Sequence, residues 1–315
     1  ARGPARNLRP IDLVRQVREV CTQGATEVVL TGTALGDYGD DLADDIGLEA
    51  LLKLLLRETP IQRLRTSSLD PKELSPELIA LMVDEPRLCP HVHVSLQSPV
   101  TPILKRMKRR YTAEDVERTL TALKGASAYI ERHRELPGGV FVGMDVITGF
   151  PGESDALFQE TVERLTHSFW TRLHVFPFSE REGTAATRPD QPVAPSVRKA
   201  RVKVLTELSR QRMRSHYERV LDDGRPLRVL VEGNAKAPVQ LSDRVCVGAY
   251  SDNYLRVIAP PLSADEPQRN TIWWIQPTGL VDVSAVGDVA LTGEWLMPHA
   301  PDSEDEPAPQ RGATT

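Results

Sequence analysis

Along the first 220 residues the hydrophobic positions switch repeatedly between helical and alternating spacing, and that switching predicts the architecture. After Pro10, the residues Ile11, Val14, Val17 and Val20/Cys21 keep a helical period, and Gly24 is placed to end it. Glu27 to Thr31 is a strand closed by Gly32. Leu48, Leu51, Leu52 and Leu55 mark a second helix, and Ile61 to Thr66 a second strand. Ser75 and Pro76 form an N-cap and first-turn pair for a helix through Val83, followed by a strand from His91 to Ser95. Thr112 with Asp115 is a capping-box pattern opening a long helix toward Tyr129. Val140 to Thr148 is a buried strand that passes through Gly149, Pro151 and Gly152 into a helix from Ser154 to His167. Thr171 to Phe176 is one more strand, and after the Pro-rich link Pro189 to Pro195 a basic helix runs from Ser196 to Leu221.

Strands that alternate with helices in this way predict an α/β unit over residues 1–221, with a parallel sheet and right-handed crossovers, open or closed into a barrel. From Gly224 the texture changes. Leu227 to Glu232, Tyr254 to Ile258, Thr271 to Ile275 and Gly279 to Val283 are short β-rich runs between turn residues, which predicts a small antiparallel barrel or sandwich over 222–298. Residues 299–315 are rich in Pro, Asp and Glu and are expected to be a disordered tail.

Composition alters this picture little. With 40% hydrophobic and 26% charged residues in 315, the chain is of ordinary soluble type. A net charge of −5 argues against a polyanion binder on average, but the basic residues are bunched. Cys21, Cys89 and Cys246 are too far apart for a CxxC-type motif, which suits a reducing compartment. The longest apolar run, Leu51 to Leu56, is broken by Lys53, and no signal-peptide core precedes Pro10, so a cytoplasmic protein without membrane contact is expected. The chain starts at Ala1 instead of methionine, and a fragment, a processed chain or a trimmed one is expected.

Candidate chemistry gathers after the strands. Four corners carry small polar residues or glycines: Thr31-Gly32 with Gly36-Asp37-Tyr38-Gly39, Thr66-Ser67-Ser68-Leu69-Asp70-Pro71, Ser95-Leu96-Gln97-Ser98, and Gly149-Phe150-Pro151-Gly152-Glu153. One such corner is what any turn needs. Four in register point to a common pocket at the carboxyl ends of the strands. Leu104 to Arg110 holds five basic residues in seven; most of it reads as a solvated face, but Arg109 follows the Gln97-Ser98 corner closely enough to reach a carboxylate or phosphate there. The stripe Arg198, Lys199, Arg201, Lys203, Arg210, Arg212, Arg214 and Arg219, against Glu207 and Glu218, is suited to a nucleic-acid backbone. The competing reading is a surface helix packed under the second domain. His91 and His93 share one strand face; without a third ligand in spacing, packing or hydrogen bonding is favoured over a metal, and the same holds for His174. No serine-hydrolase elbow, Walker loop or dinucleotide fingerprint is present.

Taken in order, Leu30-Thr31-Gly32, Leu35 to Gly39, Arg65-Thr66-Ser67-Ser68, Cys89-Pro90-His91, Leu96-Gln97-Ser98, Leu104 to Met107, Arg109 to Thr112, Gly149 to Glu153, and His174 to Ser179 with Arg181, Gly183 and Thr184 resemble the radical S-adenosylmethionine methylthiotransferases. The Leu-Thr-Gly and Arg-x-x-Ser-Ser versions resemble the threonylcarbamoyladenosine tRNA branch. Gly224 to Pro298, with Gly248 to Val257, is similar to the RNA-binding TRAM domain. The resemblance implies a partial TIM-type barrel, here without its first strand, followed by a small all-β barrel.

It also implies S-adenosylmethionine and two four-iron clusters, tRNA as substrate, an electron-donor protein, and an N-terminal domain of the same polypeptide that this chain lacks. It assigns an adenosyl-binding set of Thr31, Gly32, Ser67, Ser95, Gln97, Ser98, Arg109, Gly149, Glu153 and Phe176, and an RNA-binding set of Arg201, Arg212, Arg214, Tyr254 and Arg256. No catalytic residue is assigned. Two features depart from the family. The Cys-x-x-x-Cys-x-x-Cys loop that precedes the segment resembling Arg2-Gly3 is missing, so the chain is expected to hold neither cluster and to be inactive alone. Pro99-Val100-Thr101 stands where the family has Gly-Ser-Asp, and proline is expected to disturb the pocket because it cannot take the positive φ open to glycine. The expected activity is 2-methylthiolation of N6-threonylcarbamoyladenosine beside the anticodon. The alternatives are a non-catalytic RNA-binding remnant, and a methylthiotransferase acting on another tRNA base or a ribosomal protein.

Overall fold

Five parallel strands follow one another in chain order, each returned by a helix to the same end of the sheet. The computed structural model of the chain describes residues 6–42, 46–180, 191–232, 239–241, 244–263, 267–283 and 288–299. Helix α1 (Pro10–Thr22) leads to β1 (Glu27–Leu30), α2 (Leu48–Glu58) to β2 (Arg63–Thr66), and α3 (Pro76–Asp84) to β3 (His91–Gln97). A short helix α4 (Thr101–Arg106) and the long α5 (Ala113–His133) precede β4 (Phe141–Thr148). Helix α6 (Asp155–His167) leads to β5 (Arg172–Pro177).

β1 pairs with β2, and β3, β4 and β5 form a second parallel set. Bridges Leu64↔Leu88 and Leu69↔Val94 join the two sets across the β2/β3 gap. The result is a curved half-barrel with helices on its outer side. Local signals explain the helix starts: Ser75 and Ser154 accept from the backbone N–H of Leu78 and Leu157, and Thr112 with Asp115 closes a full capping box. Leu48, Leu51, Leu52, Leu55 and Leu56 bury one face of α2 against the sheet, worth about 1.5–3 kcal/mol each.

Helix α7 (Pro195–Asp223) then spans both parts of the molecule. Leu205 lies in the half-barrel core, whereas Met213, Tyr217 and Val220 lie in a second core with Leu227, Val229, Ala249, Val257 and Ile275. That second core belongs to β6 (Leu227–Val231), β8 (Arg244–Ser251), β9 (Arg256–Ala259), β10 (Ile272–Asp282) and β11 (Val289–Pro298), with β7 (Val239–Leu241) as a hairpin arm on β8. The order β6-β10-β11-β9-β8 returns to β6 through a β6–β8 pairing, so the five strands close into a barrel. β9 and β11 run parallel; the other pairs in the ring are antiparallel. The tail residues 300–315, like Arg2-Gly3 and the Arg181, Gly183 and Thr184 positions, lie outside the described residues.

The β8–β9 turn of the barrel seals the amino-terminal mouth of the half-barrel. Arg63 and Arg65 on β2 are both buried there. Both bind Glu27 of β1, at 2.7 and 3.0 Å. Arg63 also pairs with Asp252 at 2.9 Å, while the backbone carbonyls of Ser251 and Asp252 accept from Arg65. Burial alone would raise the Asp252 carboxyl, but Arg228 and Arg63 outweigh it and hold it at about 2. Tyr254 stacks on His91 at 4.2 Å and on Tyr250 at 4.9 Å, and Arg65 lies over its ring.

Two imidazoles at this junction are held neutral. Burial pushes His216 of α7 down to about 3, helped by Arg219, and burial with the nearby Arg65 keeps His91 well below its usual value of 6.5. Unfolded, both take a proton near pH 6.5; folded, they do not. Their contribution to stability is fully present above that pH and is lost as pH falls below it, for His216 down to about 3, at about 1.4 kcal/mol per histidine per pH unit. Urea unfolding of the chain is therefore expected to show a midpoint that drops steadily as the buffer is taken from about pH 7.5 to about 5.5, and His216→Gln should flatten the drop. A pH-independent midpoint over that interval would contradict the buried, neutral imidazoles.

Candidate active site

Because the five strands are parallel and adjacent in order, their carboxyl ends share one rim, where an α/β sheet builds its ligand site. Thr31 and Gly32, after β1, are exposed there. Ser67, after β2, gives its backbone N–H to the Leu30 carbonyl at 2.8 Å, and its Oγ is buried without a hydrogen-bond partner among the described residues. The Ser95 carbonyl accepts from the Tyr111 hydroxyl at 2.8 Å. Phe176 at the end of β5 is 49% exposed, so its ring is available at the rim. Gly149 after β4 has φ +76°, and a Cβ there would collide with the Arg198 side chain, so the position requires glycine twice over.

Gln97 carries backbone strain at this rim. Its φ is +60°, and the register between β3 and β4 slips between Val94 and Gln97. A left-handed non-glycine residue costs about 1–3 kcal/mol and is retained where the surrounding structure dictates it. The expectation that Pro99 disturbs the pocket is revised by this geometry: the positive φ falls on Gln97, and Pro99 is buried in the turn before α4. Ser98 is also buried, and its Oγ accepts from the Val100 N–H at 3.2 Å, so it shapes the turn.

Two expected site residues turn out to brace the rim from behind. The Glu153 carboxylate, buried, accepts from the Gly149 N–H at 2.6 Å, the Thr148 hydroxyl at 3.2 Å and the Arg201 guanidinium at 2.6 Å. Arg201, expected on the RNA-facing stripe, is buried as well; it also binds Asp155 at 2.7 Å and lies over the Phe158 ring. A guanidinium this engaged belongs to the α6–α7 packing. Arg109 meets Asp70 at 3.3 Å, both half-buried, and burial raises the Asp70 carboxyl against the pull of Arg109.

The remaining stripe is largely committed too. The carbonyls of Thr166 and Ser168 at the end of α6 accept from Arg212, which also lies 4.1 Å from the centre of the Trp170 ring. Arg214 pairs with Asp282 of the barrel, and Arg198 with Glu180. The competing reading of this helix, a packing element under the second domain, describes it better. Tyr254, at φ +69°, and Arg256, whose N–H donates to the Tyr217 hydroxyl at 2.9 Å, lie at the opposite mouth from the rim.

His93 and His174 stand out in the sequence, but their carboxylate partner on the concave face, Asp145, does not. His93 Nε2 lies 2.9 Å from Asp145 Oδ1, and the His174 ring is 5.2 Å from that of His93. A carboxylate in the otherwise apolar run of β4, alternating with Gly143 and Ile147, was the signal available.

The three cysteines sit on α1, before β3 and on β8, and burial raises the thiol pKa of Cys21 and Cys89. Among the described residues no group of three His, Cys, Asp or Glu side chains is placed to hold a metal ion. These residues therefore do not fit an iron–sulfur cluster, which needs thiolates gathered at one point. No helix among them is long and apolar enough to cross a membrane.

The chain is 37% identical over 231 residues to the threonylcarbamoyladenosine tRNA methylthiotransferase MtaB of Aquifex aeolicus, covering 73% of this chain and 53% of that protein. It is 34% identical over 245 residues to a tRNA-2-methylthio-N(6)-dimethylallyladenosine synthase of Moorella thermoacetica, covering 77% and 52%. The chain thus spans about half the length of the curated relatives it matches. Among solved structures it is similar to coproporphyrinogen III oxidase (HemN) from Escherichia coli, with a TM-score of 0.46, 12% identity, and 86% of this chain and 61% of that one covered. The Radical SAM superfamily family is matched over residues 1–165, just over half of the 315, and the chain belongs to that superfamily.

Proposed function

We propose that this chain carries the S-adenosylmethionine-binding rim and the RNA-binding barrel of a cytoplasmic tRNA methylthiotransferase whose target is N6-threonylcarbamoyladenosine beside the anticodon. The observation that carries the reading is the buried Ser67 hydroxyl, which has no hydrogen-bond partner among the described residues, on a rim it shares with Thr31, Ser95, Gln97, Gly149 and Phe176. Buried hydroxyls in native proteins are nearly always hydrogen-bonded, and a bound ligand or an ordered water completes one that the protein leaves open. The adenosyl group offers hydroxyls and ring nitrogens for Ser67 and the strand-end backbone, and an aromatic face for Phe176. Bound there, S-adenosylmethionine supplies a radical precursor and a methyl group. What these residues do is hold and orient it; the cluster chemistry the family implies finds no ligand set among them, so the chain alone is expected to bind without cleaving.

The barrel supports the RNA half of the reading by analogy of fold: closed five-stranded barrels of the OB type bind oligonucleotides on the face of their second and third strands, here β8 and β9. Such a barrel at the end of the chain corresponds to the TRAM domain of the resemblance. Arg256 and Tyr254 remain the proposed contacts; Arg201, buried against Glu153, and Arg212 and Arg214, engaged by the end of α6 and by Asp282, are withdrawn from that set.

Titration of the chain with S-adenosylhomocysteine tests the first half. Ser67→Ala is expected to weaken binding about 5–10-fold while leaving the urea midpoint unchanged or slightly raised, because the lost hydroxyl has no partner among the described residues. Equal affinity for the variant and the parent chain would contradict the rim assignment. For the second half, Arg256→Glu is expected to weaken binding to tRNA and to reduce the salt slope of log K by about 1. An unchanged slope would remove Arg256 from the contact surface, and RNA binding without any adenosyl binding would favour a non-catalytic binder.

A further inference from the structure

The concave face beneath the rim holds hydrogen-bonding groups that adenosyl binding does not use. His93 on β3, Asp145 on β4 and His174 on β5 stand side by side: Asp145 is the register partner of His174, and His93 that of Gly143. Gly143 makes the room, since a Cβ there would lie 3.2 Å from His93 Nδ1. The three sit one pleat, about 7 Å, below Ser95, Ile147 and Phe176. They are reachable from solvent, with the side chains of His93 and Asp145 21% and 26% exposed. Val29 and Phe176 on the same concave face are each 49% exposed.

Their hydrogen-bonding capacity is only partly used. Asp145 spends one oxygen on His93, and among the described residues His174 makes a ring contact with His93 and no hydrogen bond. Burial, with Arg172 and His93 beside it, lowers the His174 pKa, so its imidazole is neutral at pH 7 and offers one donor and one acceptor. A hydrocarbon pressed onto this face would leave a carboxylate oxygen and ring nitrogens dry and unpaired, at about 1–3 kcal/mol each. A substituent carrying an N–H and a carbonyl would satisfy them.

We propose that His93, Asp145 and His174 recognise the N6 substituent of the target adenine and select a polar carbamoyl group over a hydrocarbon one. The inference rests on the reading of the chain as a tRNA adenosine methylthiotransferase and names the residues that set its substrate. Asp145 accepts from a carbamoyl N–H, and His174 donates to the carbonyl. Sites built to hydrogen-bond a substrate reject analogues that lack the partner far more strongly than apolar pockets reject a polar isostere.

The test is a titration of the 315-residue chain, saturated with S-adenosylhomocysteine, against anticodon stem-loop RNAs that differ only at one adenosine: unmodified, N6-threonylcarbamoyl or N6-isopentenyl. The threonylcarbamoyl RNA is expected to bind at least about 10-fold tighter than the isopentenyl one. In His174→Phe that preference should collapse to within about 3-fold, with binding of the unmodified RNA unchanged. Equal binding of the two modified RNAs by the parent chain overturns the inference and leaves the proposed function standing. Failure to bind any of the RNAs overturns both. A His174→Phe variant that loses affinity for S-adenosylhomocysteine and keeps its RNA preference assigns the three residues to the cofactor, which also overturns the inference.

Discussion

Two guanidiniums buried at the mouth of the half-barrel set the terms for the rest of the molecule. Arg63 and Arg65 would be very costly to hide alone, and neither β1 nor β2 carries enough carboxylate to neutralise both, since Glu27 is shared between them. The barrel offsets part of the deficit: Asp252, which also binds Arg228, lies 2.9 Å from Arg63, and the carbonyls of Tyr250, Ser251 and Asp252 accept from further N–H groups of the pair. The half-barrel is thus electrostatically incomplete without the β8–β9 turn. Such an arrangement adds little net stability when intact, but removing one partner costs about 3–5 kcal/mol, which makes it a device for specifying one docking geometry.

That geometry reaches the rim along the strands themselves. Glu27 and Val29 of β1 lead to Thr31, and Arg63 and Arg65 of β2 lead to Ser67, in steps of two residues on the same concave face. On β3 the same face runs from His91, stacked under Tyr254, through His93 to Ser95 and Gln97. The barrel therefore closes the floor of the cavity whose roof is the proposed adenosyl site, and the polar His93, Asp145 and His174 layer lies between them. Behind the rim, Glu153 and Arg201 fix the Gly149 loop to α6 and α7, so the last helix supports both the site and the barrel it leads to.

Much of this was legible in the sequence, for identifiable reasons. Ser75, Thr112 and Ser154 each cap a helix where the pattern placed one, because capping uses only neighbours within three residues. The alternation of strand and helix was strong enough to order all five parallel strands. The barrel was harder. Arg244–Ser251 and Val289–Pro298 are long strands whose glycines and polar positions hide their period, and Pro277 made β10 read as two runs although a bulge carries it through as one. Arg201 looked like its neighbours in the basic stripe because a helix with charge on every side does not reveal which face will be covered. The left-handed Gln97 left no mark at all: nothing local distinguishes it, and the strain is imposed by β4 and the turn into α4.

The most direct measurement of the central claim, that the half-barrel and the barrel are one unit joined through Arg63 and Arg65, is urea unfolding followed by two signals. In a Trp170→Phe variant the remaining tryptophans, Trp273, Trp274 and Trp295, all report on the barrel strands β10 and β11, while far-ultraviolet circular dichroism is dominated by the helices of the half-barrel. The account predicts coincident transitions, which separate when Asp252→Ala is added. Transitions already separate with Asp252 in place would contradict it.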